Sequence, residues 1–329
     1  MVTPQEERIQ ADLHAHLGWR IGELRPIPEG HSGFTYWVDT DHGRAVLRLP
    51  PPGARIAGPA DIPRQSRIMA ALAEQGLPVP RLLASSAQPA IDGRPFVLME
   101  EVPGLRVEAV AAQLSPAALA QAALAVLAQL QAVPLERSGL AQEAPVSVAE
   151  EIVYWERLME RAPPELTEAA PRLRRLLERS PPEAAPPVLV HGDFHYGNML
   201  FGDGRVVALL DWEIAQLGQP QLDLSCLCVA AEVGAPGLGA GRWDVPTVGL
   251  AEEFGLDPAP FTWFRALTYY KYAAIFGYNL MLHRRGKRVD PTYEERTGTI
   301  TAFIERGIAL LEASPRGRRW PSAGRSSSF

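Results

Sequence analysis

One stretch near the middle of the chain constrains the fold most, because it sets polar residues at fixed intervals between short apolar runs. It reads Val188-Leu-Val-His-Gly-Asp-Phe-His-Tyr-Gly-Asn-Met-Leu-Phe201, and Leu209-Leu-Asp-Trp-Glu213 follows after a Gly-Asp-Gly turn signal. The apolar runs predict short strands at 188–190, 198–201 and 205–210, with a loop at 191–197. The last two strands would form a hairpin that brings Asn198 beside Asp211, since the start of one strand faces the end of the next.

The polar residues of this stretch suit the transfer of a phosphoryl group. Such a transfer needs a carboxylate near the acceptor hydroxyl and oxygen ligands for Mg²⁺. Asn198 and Asp211 can supply the protein share of a magnesium site, because Mg²⁺ also keeps waters and phosphate oxygens as ligands. Asp193, which precedes Asn198 by five residues, would accept or orient the hydroxyl proton.

Two other interpretations of the same residues stay open at this stage. The polar groups could simply be turn formers and caps at the ends of the strands. Alternatively, His191, Asp193 and His195 form a His-x-Asp-x-His pattern, and imidazole and carboxylate ligands suit Zn²⁺ or Mn²⁺ in a metallohydrolase.

The pattern His191-Gly-Asp193-x-His195-x-x-Asn198 resembles the catalytic loop of the aminoglycoside phosphotransferase family, whose members are relatives of the eukaryotic protein kinases. Asp211, within Leu-Asp-Trp, stands where the kinase Asp-Phe-Gly motif would stand. The resemblance implies ATP and Mg²⁺ as cofactors and Asp193 as the catalytic base. It also implies that His195 faces the nucleotide phosphates and that Glu213 lies near a second metal position.

The N-terminal part of the chain fits the same resemblance in weaker ways. Gly30, Ser32 and Gly33 would belong to a loop that covers the ATP phosphates with backbone N–H groups. Arg48 ends the strand that carries a lysine in kinases, and its planar guanidinium can also pair phosphates. Gln65 falls where the family usually has the glutamate that pairs with that lysine. A hydrogen bond from Arg48 to Gln65 would be weaker than an ion pair.

The fold implied by the resemblance is α+β and bilobal, like that of the protein kinases. A small antiparallel sheet with a helix would form an N-lobe over residues 1–102, and the Glu100 carbonyl and Val102 N–H would bond the adenine edge. A mainly helical C-lobe would span 103–314 and carry the catalytic loop, the metal ligands and the substrate site. The composition of residues 315–329 is typical of a disordered tail.

Several helices can be predicted from local patterns alone. Residues 5–17 read as an amphipathic helix. Ser115 followed by Pro116 is a typical helix start, and Ser147 with Glu150 forms a capping box for another helix. Residues 261–282 carry many aromatic side chains and few charges, which indicates a packed helix.

Composition narrows the classes of partner. The 329 residues carry a formal net charge of −6, which argues against nucleic acid or an anionic membrane as the main partner and favours small molecules. The start of the chain lacks a basic and apolar signal pattern, and no apolar run reaches the ~18 residues of a membrane span, so we expect a cytoplasmic protein. Cys226 and Cys228 read as small buried hydrophobes. The oligomeric state stays open.

Together these features predict an enzyme that moves the γ-phosphoryl group of ATP to a hydroxyl of a small molecule. The Leu-Asp-Trp-Glu213 sequence and the segments 46–53 and 270–277 resemble the kinase domains that accompany certain acyl-CoA dehydrogenases. This resemblance favours a hydroxy acid or hydroxyacyl thioester over an aminoglycoside as acceptor. Arg48 and Gln65 leave open a nucleotide-binding regulatory module without turnover, and the fold also permits transfer of AMP.

Overall fold

The computed structural model describes residues 3–27, 34–233 and 258–313. The predicted phosphate-covering residues Gly30, Ser32 and Gly33 lie outside the described residues, as does the predicted tail at 315–329. Within the described ranges, none of the helices is both long and apolar enough to cross a bilayer.

The N-terminal part of the chain forms a five-stranded antiparallel sheet with the strand order β1-β2-β3-β5-β4. Helix α1 precedes the sheet, and helix α2 lies between β3 and β4 in the chain. The bounds are α1 Pro4–Leu17, β1 Ile21–Pro26, β2 Phe34–Thr40, β3 Gly43–Leu49, α2 Ile62–Ala73, β4 Leu82–Ile91 and β5 Arg94–Glu100.

Alternation along β3 determines where Arg48 lies. Ala45, Leu47 and Leu49 are completely buried in a core that also contains Ile9 of α1. Because successive side chains of a strand point to opposite faces, Arg48 lies on the face away from this core. The apolar pattern of one strand therefore aims the arginine at the other side of the sheet.

The segment that follows the sheet is hydrogen-bonded to a hairpin that lies later in the chain. Strands β7 (Met199–Gly202) and β8 (Arg205–Leu209) pair antiparallel, with Met199 opposite Leu209, which confirms the predicted hairpin. The backbones of Leu105 and Phe201 exchange two hydrogen bonds of 2.8 Å. A Cβ atom on Gly104 would lie 2.8 Å from the Leu200 Cβ, so the chain passes too close to the hairpin for any residue with a side chain.

The remaining elements are mainly helical, and the predicted helix starts are confirmed. Ser115 caps α4, and Ser147 forms the predicted capping box with Glu150 at the start of α5. The predicted aromatic helix lies within α8, and both cysteines are buried. The bounds are α3 Val107–Val110, α4 Pro116–Gln131, α5 Val148–Met159, α6 Ala170–Arg179, β6 Val188–Val190, β9 Gln216–Gly218, α7 Gln221–Val233, α8 Pro258–Arg284, α9 Thr292–Glu295 and α10 Thr297–Ala313.

The described residues divide into two compact units. One contains the five-stranded sheet, α4 and the β7–β8 hairpin, over residues 3–143 and 191–216. The other contains α5, α6, α8 and α10, over residues 144–190, 217–233 and 258–313. The predicted lobe boundary after residue 102 stays a prediction. All the residues of the candidate site described next belong to the first unit.

Candidate active site

The loop at 191–198 begins with a residue that must be glycine. Gly192 has a φ of 85°, a left-handed conformation that residues with a side chain rarely adopt. A Cβ atom at this position would also lie 2.5 Å from the carbonyl oxygen of Ile214. The backbone therefore passes directly against the segment that follows Asp211, and only glycine allows this approach.

His191 ties the loop to the end of β8. Its Nε2 lies 2.8 Å from the Leu210 carbonyl oxygen, while the Asp193 N–H donates to its Nδ1 over 3.2 Å. The two contacts assign one tautomer, in which Nε2 carries the hydrogen. Burial lowers the pKa of His191 to about 4, so the ring is neutral near pH 7. Its centroid lies 4.6 Å from that of Trp212.

Asp193 is held by two side chains that converge on one of its oxygens. The Nε2 of His195 and the Nδ2 of Asn198 each lie 3.2 Å from Asp193 Oδ2. The Gly197 N–H donates to His195 Nδ1, so the other ring nitrogen, Nε2, carries the hydrogen that points to the carboxylate. The carboxylate is thus oriented by donors from its own loop, and about a quarter of the Asp193 side chain is exposed.

His195 therefore contacts the candidate base itself in this structure. The sequence predicts that it faces the nucleotide phosphates, and that role stays a prediction. The ring is 3% exposed, so its position is set by the surrounding loop.

Asn198 and Asp211 meet at the open end of the hairpin, as predicted. The Leu210 N–H donates to the Asn198 carbonyl over 2.8 Å. Asp211 directly follows Leu210 in the chain, so it lies next to Asn198. The Asn198 amide nitrogen also donates to the Asp193 carbonyl, so the hydrogens of the amide serve the loop and its Oδ1 remains as the acceptor. Asp211 has a φ of 66°, which turns the chain sharply after β8.

The donor set at this end of the hairpin fits a hard divalent cation. Asn198 offers an amide oxygen, and Asp211 and Glu213 offer carboxylates, which are the ligand types that Mg²⁺ prefers. Over the described ranges, no three His, Cys, Asp or Glu side chains are grouped closely enough to hold a metal ion by themselves. A mixed set of amide, carboxylate and phosphate oxygens is the arrangement that these residues can support.

Arg48 bridges the two carboxylates of this set. Its Nη1 donates to Asp211 Oδ1 over 3.0 Å, and its Nη2 donates to Glu213 Oε2 over 2.9 Å. Burial by itself would lower the pKa of Arg48, but the two carboxylates outweigh it and raise the pKa above the ordinary arginine value. The strand arginine therefore stays charged and lies across the predicted metal ligands.

Gln65 has a different partner from the one that the sequence suggests. Its side chain is buried on α2, and its amide donates to the Pro59 carbonyl over 3.0 Å. The neighbouring Arg64 makes a two-pronged contact with Glu143 and also donates to the Ala215 carbonyl. Helix α2 is thus connected to the segment after Glu213 through Arg64, and a nucleotide role for Gln65 stays a prediction.

Glu100 and Val102, the predicted adenine contacts, lie where β5 ends. Glu100 is the last residue of the strand and lies opposite Ala45 of β3. Its backbone N–H donates to the Arg81 carbonyl, and its side chain accepts from Arg81. Both residues are half-buried, and their role as adenine contacts stays a prediction.

Comparison with known proteins decides the family. A model of the phosphotransferase enzyme family matches residues 23–253, which is most of the chain and includes every site residue described above. The chain belongs to this family. Membership supports the phosphoryl-transfer interpretation of the chain, and the role of the polar loop as its site stays a prediction.

Curated relatives of this phosphotransferase are acyl-CoA dehydrogenase family members. The mouse acyl-CoA dehydrogenase family member 10 is 31% identical over 216 residues, which cover 63% of this chain and 20% of the relative. The human family member 11 is 29% identical over 243 residues, which cover 68% of this chain and 31% of the relative. This chain therefore spans only about a fifth to a third of the length of these two relatives.

Solved structures share the fold of this phosphotransferase. A candidate aminoglycoside phosphotransferase of Ralstonia eutropha has a TM-score of 0.74 and 23% identity, and the match covers 94% of this chain and 99% of the other. The GDP and kanamycin complex of APH(2")-IIIa has a TM-score of 0.62 and 17% identity, with 92% and 97% covered. The predicted kinase-like α+β fold is confirmed.

Two residues of the site in this phosphotransferase have no signal in the sequence. Arg64 anchors α2 to Ala215, as described above. Arg106 donates from Nη1 to the Gly197 carbonyl over 2.6 Å and so holds the 191–198 loop in place. Both are ordinary arginines in the sequence, and their partners are at least 79 positions away in the chain. No local pattern could have identified them.

Proposed function

We propose that this phosphotransferase transfers the γ-phosphoryl group of ATP to a hydroxyl of a small molecule. The observation that carries the proposal is the Asp193 carboxylate, which two donors of its own loop orient next to the hairpin that bears Asp211 and Glu213. A fixed, partly exposed carboxylate beside a set of hard oxygen ligands is what a transfer to a hydroxyl needs.

The nucleotide part of the proposal is supported by structures of the same fold. Aminoglycoside phosphotransferase APH(4)-Ia has been solved with ADP and hygromycin B and with AMP-PNP and hygromycin B, and APH(2")-IIIa with GDP. In this chain Arg48 is the charged group suited to the phosphates, since a guanidinium matches phosphate oxygens in a bidentate way. The Glu100 carbonyl and the Val102 N–H are the proposed adenine contacts.

Asn198, Asp211 and Glu213 would hold Mg²⁺, which neutralises phosphate charge when it is bound. Asp193 would accept the proton of the acceptor hydroxyl as the new O–P bond forms and the bond to the leaving phosphate oxygen breaks. His195 and Asn198 both contact one carboxylate oxygen of Asp193, which fixes the orientation of the carboxylate. His191 stays neutral and holds the loop against β8.

The acceptor proposed is a hydroxy acid or a hydroxyacyl thioester, in preference to an aminoglycoside. The support is the likeness to acyl-CoA dehydrogenase family members, in which this chain matches only part of a longer protein. Such an arrangement fits a kinase domain that acts on the same class of acyl compound as a dehydrogenase.

A non-catalytic nucleotide-binding module is a second candidate, and one observation favours it. Arg48 lies across Asp211 and Glu213, the carboxylates that a divalent cation would need. If a nucleotide did not displace this contact, the chain would bind nucleotide without turnover. This candidate predicts a thermal shift with ATP but no consumption of ATP with any acceptor.

The test is a screen of ATP consumption with Mg²⁺ against hydroxyacyl-CoAs, hydroxy acids, aminoglycosides and amino alcohols, with Asp193→Ala as the blank. The proposal expects ADP formation with a hydroxylated acyl compound that disappears in the variant. Release of pyrophosphate in place of ADP would identify AMP transfer. A hit confined to aminoglycosides would contradict the proposed acceptor class, and silence with all acceptors despite ATP binding would support the regulatory module.

A further inference from the structure

Arg48 has an unusual environment for a residue that is expected to bind phosphate. Its guanidinium is in contact with two carboxylates at once, and the three side chains are 13% exposed for Arg48, 34% for Asp211 and 20% for Glu213. The strand that carries it has fixed partners on both sides, Thr35 of β2 and Val97 of β5, so the backbone at Arg48 is held in the middle of the sheet.

The planar shape of the guanidinium makes this contact possible. Two of its nitrogens reach two different carboxylates, which the single ammonium group of a lysine could not do with the same geometry. The contact also neutralises two carboxylates that would otherwise repel each other in a partly buried place. The positive charge of Arg48 is therefore in the place where the fold offers oxygen ligands to a cation.

We propose that Arg48 is an internal counter-cation that competes with the divalent metal ion for Asp211 and Glu213, so that metal and nucleotide bind this protein together and the metal alone binds weakly. The inference rests on the proposed function, because it concerns the same metal ligands. A guanidinium and a divalent cation cannot share these oxygens at close range, since their like charges repel.

Nucleotide phosphates provide the alternative partner that the exchange requires. Arg48 gains charge-assisted hydrogen bonds to phosphate when it leaves the carboxylates, and the carboxylates then take the metal ion. Arg48 and the two carboxylates therefore each have a partner of opposite charge both with and without the nucleotide and metal ion. Without nucleotide, a metal ion would have to displace Arg48 from both carboxylates with no nucleotide phosphate to receive the guanidinium.

Arg44 offers a matched control on the same strand. Its side chain also bridges two carboxylates, with Nη1 at 3.0 Å from Glu101 Oε1 and Nε at 3.4 Å from Asp39 Oδ1. Its side chain is 46% exposed, compared with 13% for Arg48, and its two carboxylate partners differ from those of Arg48. Removal of its charge tests whether the loss of any arginine bridge on β3 has the same effect.

The experiment measures Mn²⁺ binding by electron paramagnetic resonance in the full chain, without nucleotide and with AMP-PNP. The variants are Arg48→Met, Arg48→Lys, Arg44→Met and the double variant Arg48→Met with Asp211→Asn. Without nucleotide, we expect Arg48→Met to bind Mn²⁺ about tenfold more tightly than wild type, from the loss of a charged competitor worth about 1.4 kcal/mol. Arg48→Lys should lie between them, and Arg44→Met should equal wild type.

The double variant locates the effect. If the gain of Arg48→Met disappears when Asp211 is also changed, the metal ion binds at the carboxylate that Arg48 released. A thermal melt of each variant shows that it is folded, and Arg48→Lys keeps a charge on the strand should Arg48→Met fail to fold.

Equal nucleotide-free Mn²⁺ affinities for wild type, Arg48→Met and Arg48→Lys would overturn the inference, as would a gain that survives Asp211→Asn. The proposed function is judged separately, by Mn²⁺ binding of the wild type with AMP-PNP. Tight binding there combined with equal nucleotide-free affinities would leave the function standing and remove the counter-cation. A gain in Arg48→Met without any response of the wild type to AMP-PNP would contradict the proposed function and the coupling of metal to nucleotide, and would leave Arg48 only as a competitor for the two carboxylates.

Discussion

The candidate-site segment at 191–213, called the hairpin below because it contains β7 and β8, and the helix α8 at 258–284 are built in opposite ways. The hairpin positions partly exposed polar groups through hydrogen bonds between neighbours in the chain, such as Asn198 to Asp193. Helix α8 is lined with buried aromatic side chains, including Trp263, Tyr269 and Tyr272, and packs against α10, α5 and α7. The polar side chains of the candidate site therefore lie in one short segment, while α8 contributes mainly buried apolar packing.

The difference suggests that changes in the hairpin alter turnover more than stability, and that changes in the helices do the reverse. The exceptions should be the hairpin residues that determine the backbone conformation of the loop, whose substitution should also lower stability. Five substitutions, two of which have a matched control, test this division in order of decreasing expected effect.

The largest effect is expected from the two aspartates of the hairpin. Asp193→Ala should lower kcat by about 10²–10⁴-fold through loss of the base, while ATP still raises the melting temperature. Asp211→Ala should instead weaken Mg²⁺–ATP binding, seen as a smaller thermal shift. Asp193→Ala should melt close to the wild type, because about a quarter of its side chain is exposed, whereas Asp211→Ala should melt lower, because it removes one of the two carboxylates bound to the mostly buried Arg48. Equal activity of either variant and wild type would remove its assigned role.

Gly192→Ala is expected to lower stability as well as turnover, because Gly192 allows the close backbone approach to Ile214. The left-handed φ and the short approach to Ile214 together should cost about 2–4 kcal/mol of unfolding free energy. Turnover should fall with it, since the loop carries Asp193. Gly18→Ala is the control, because Gly18 has a φ of 71° but open space around its Cβ position, and it should cost only about 1 kcal/mol. Urea unfolding of both variants measures the difference, and equal costs would exclude the steric contact.

His191 links the hairpin to acid stability. Burial lowers its pKa from 6.5 to about 4. Between these two pH values the ring is protonated in the unfolded chain and neutral in the native protein. The stability from this group is present above pH 6.5 and is lost as pH falls towards 4. Between pH 7 and pH 5 the loss should be about 2 kcal/mol. His191→Asn should flatten this slope in urea unfolding at the two pH values, and an unchanged slope would assign the acid sensitivity elsewhere.

Gly277→Ala in α8 should lower stability and leave turnover nearly unchanged. A Cβ atom there would overlap the Cβ of Ala162, so the helix must shift, at a net cost of about 1–2 kcal/mol after the gain in helix propensity. The kcat of the folded protein should stay close to wild type. Gly298→Ala in α10 is the control, because its Cβ meets nothing within 4 Å, and it should stabilise by up to about 1 kcal/mol. A large loss of turnover in Gly277→Ala would show that α8 contributes to the site.

Much of this fold could be predicted from the sequence because the signals are local. The helix starts at Ser115 and Ser147 depend on bonds that span three residues. The β7–β8 hairpin depends on a turn and two apolar runs, and the pairing of Asn198 with the end of β8 follows from that hairpin. The spacing from Asp193 to Asn198 was likewise enough to indicate a phosphoryl-transfer loop and a family that the comparisons confirm.

The sequence by itself thus determined the local elements, the family and the types of side chain that the 191–198 loop offers. Only the tertiary structure decided which distant groups complete the site. Arg48 meets Asp211 across 163 positions, Arg64 meets Glu143 across 79 positions, and Arg106 reaches Gly197 across 91 positions. Caps and turns are specified by a few neighbouring residues, whereas these contacts depend on how the whole sheet and hairpin pack, which no short pattern contains.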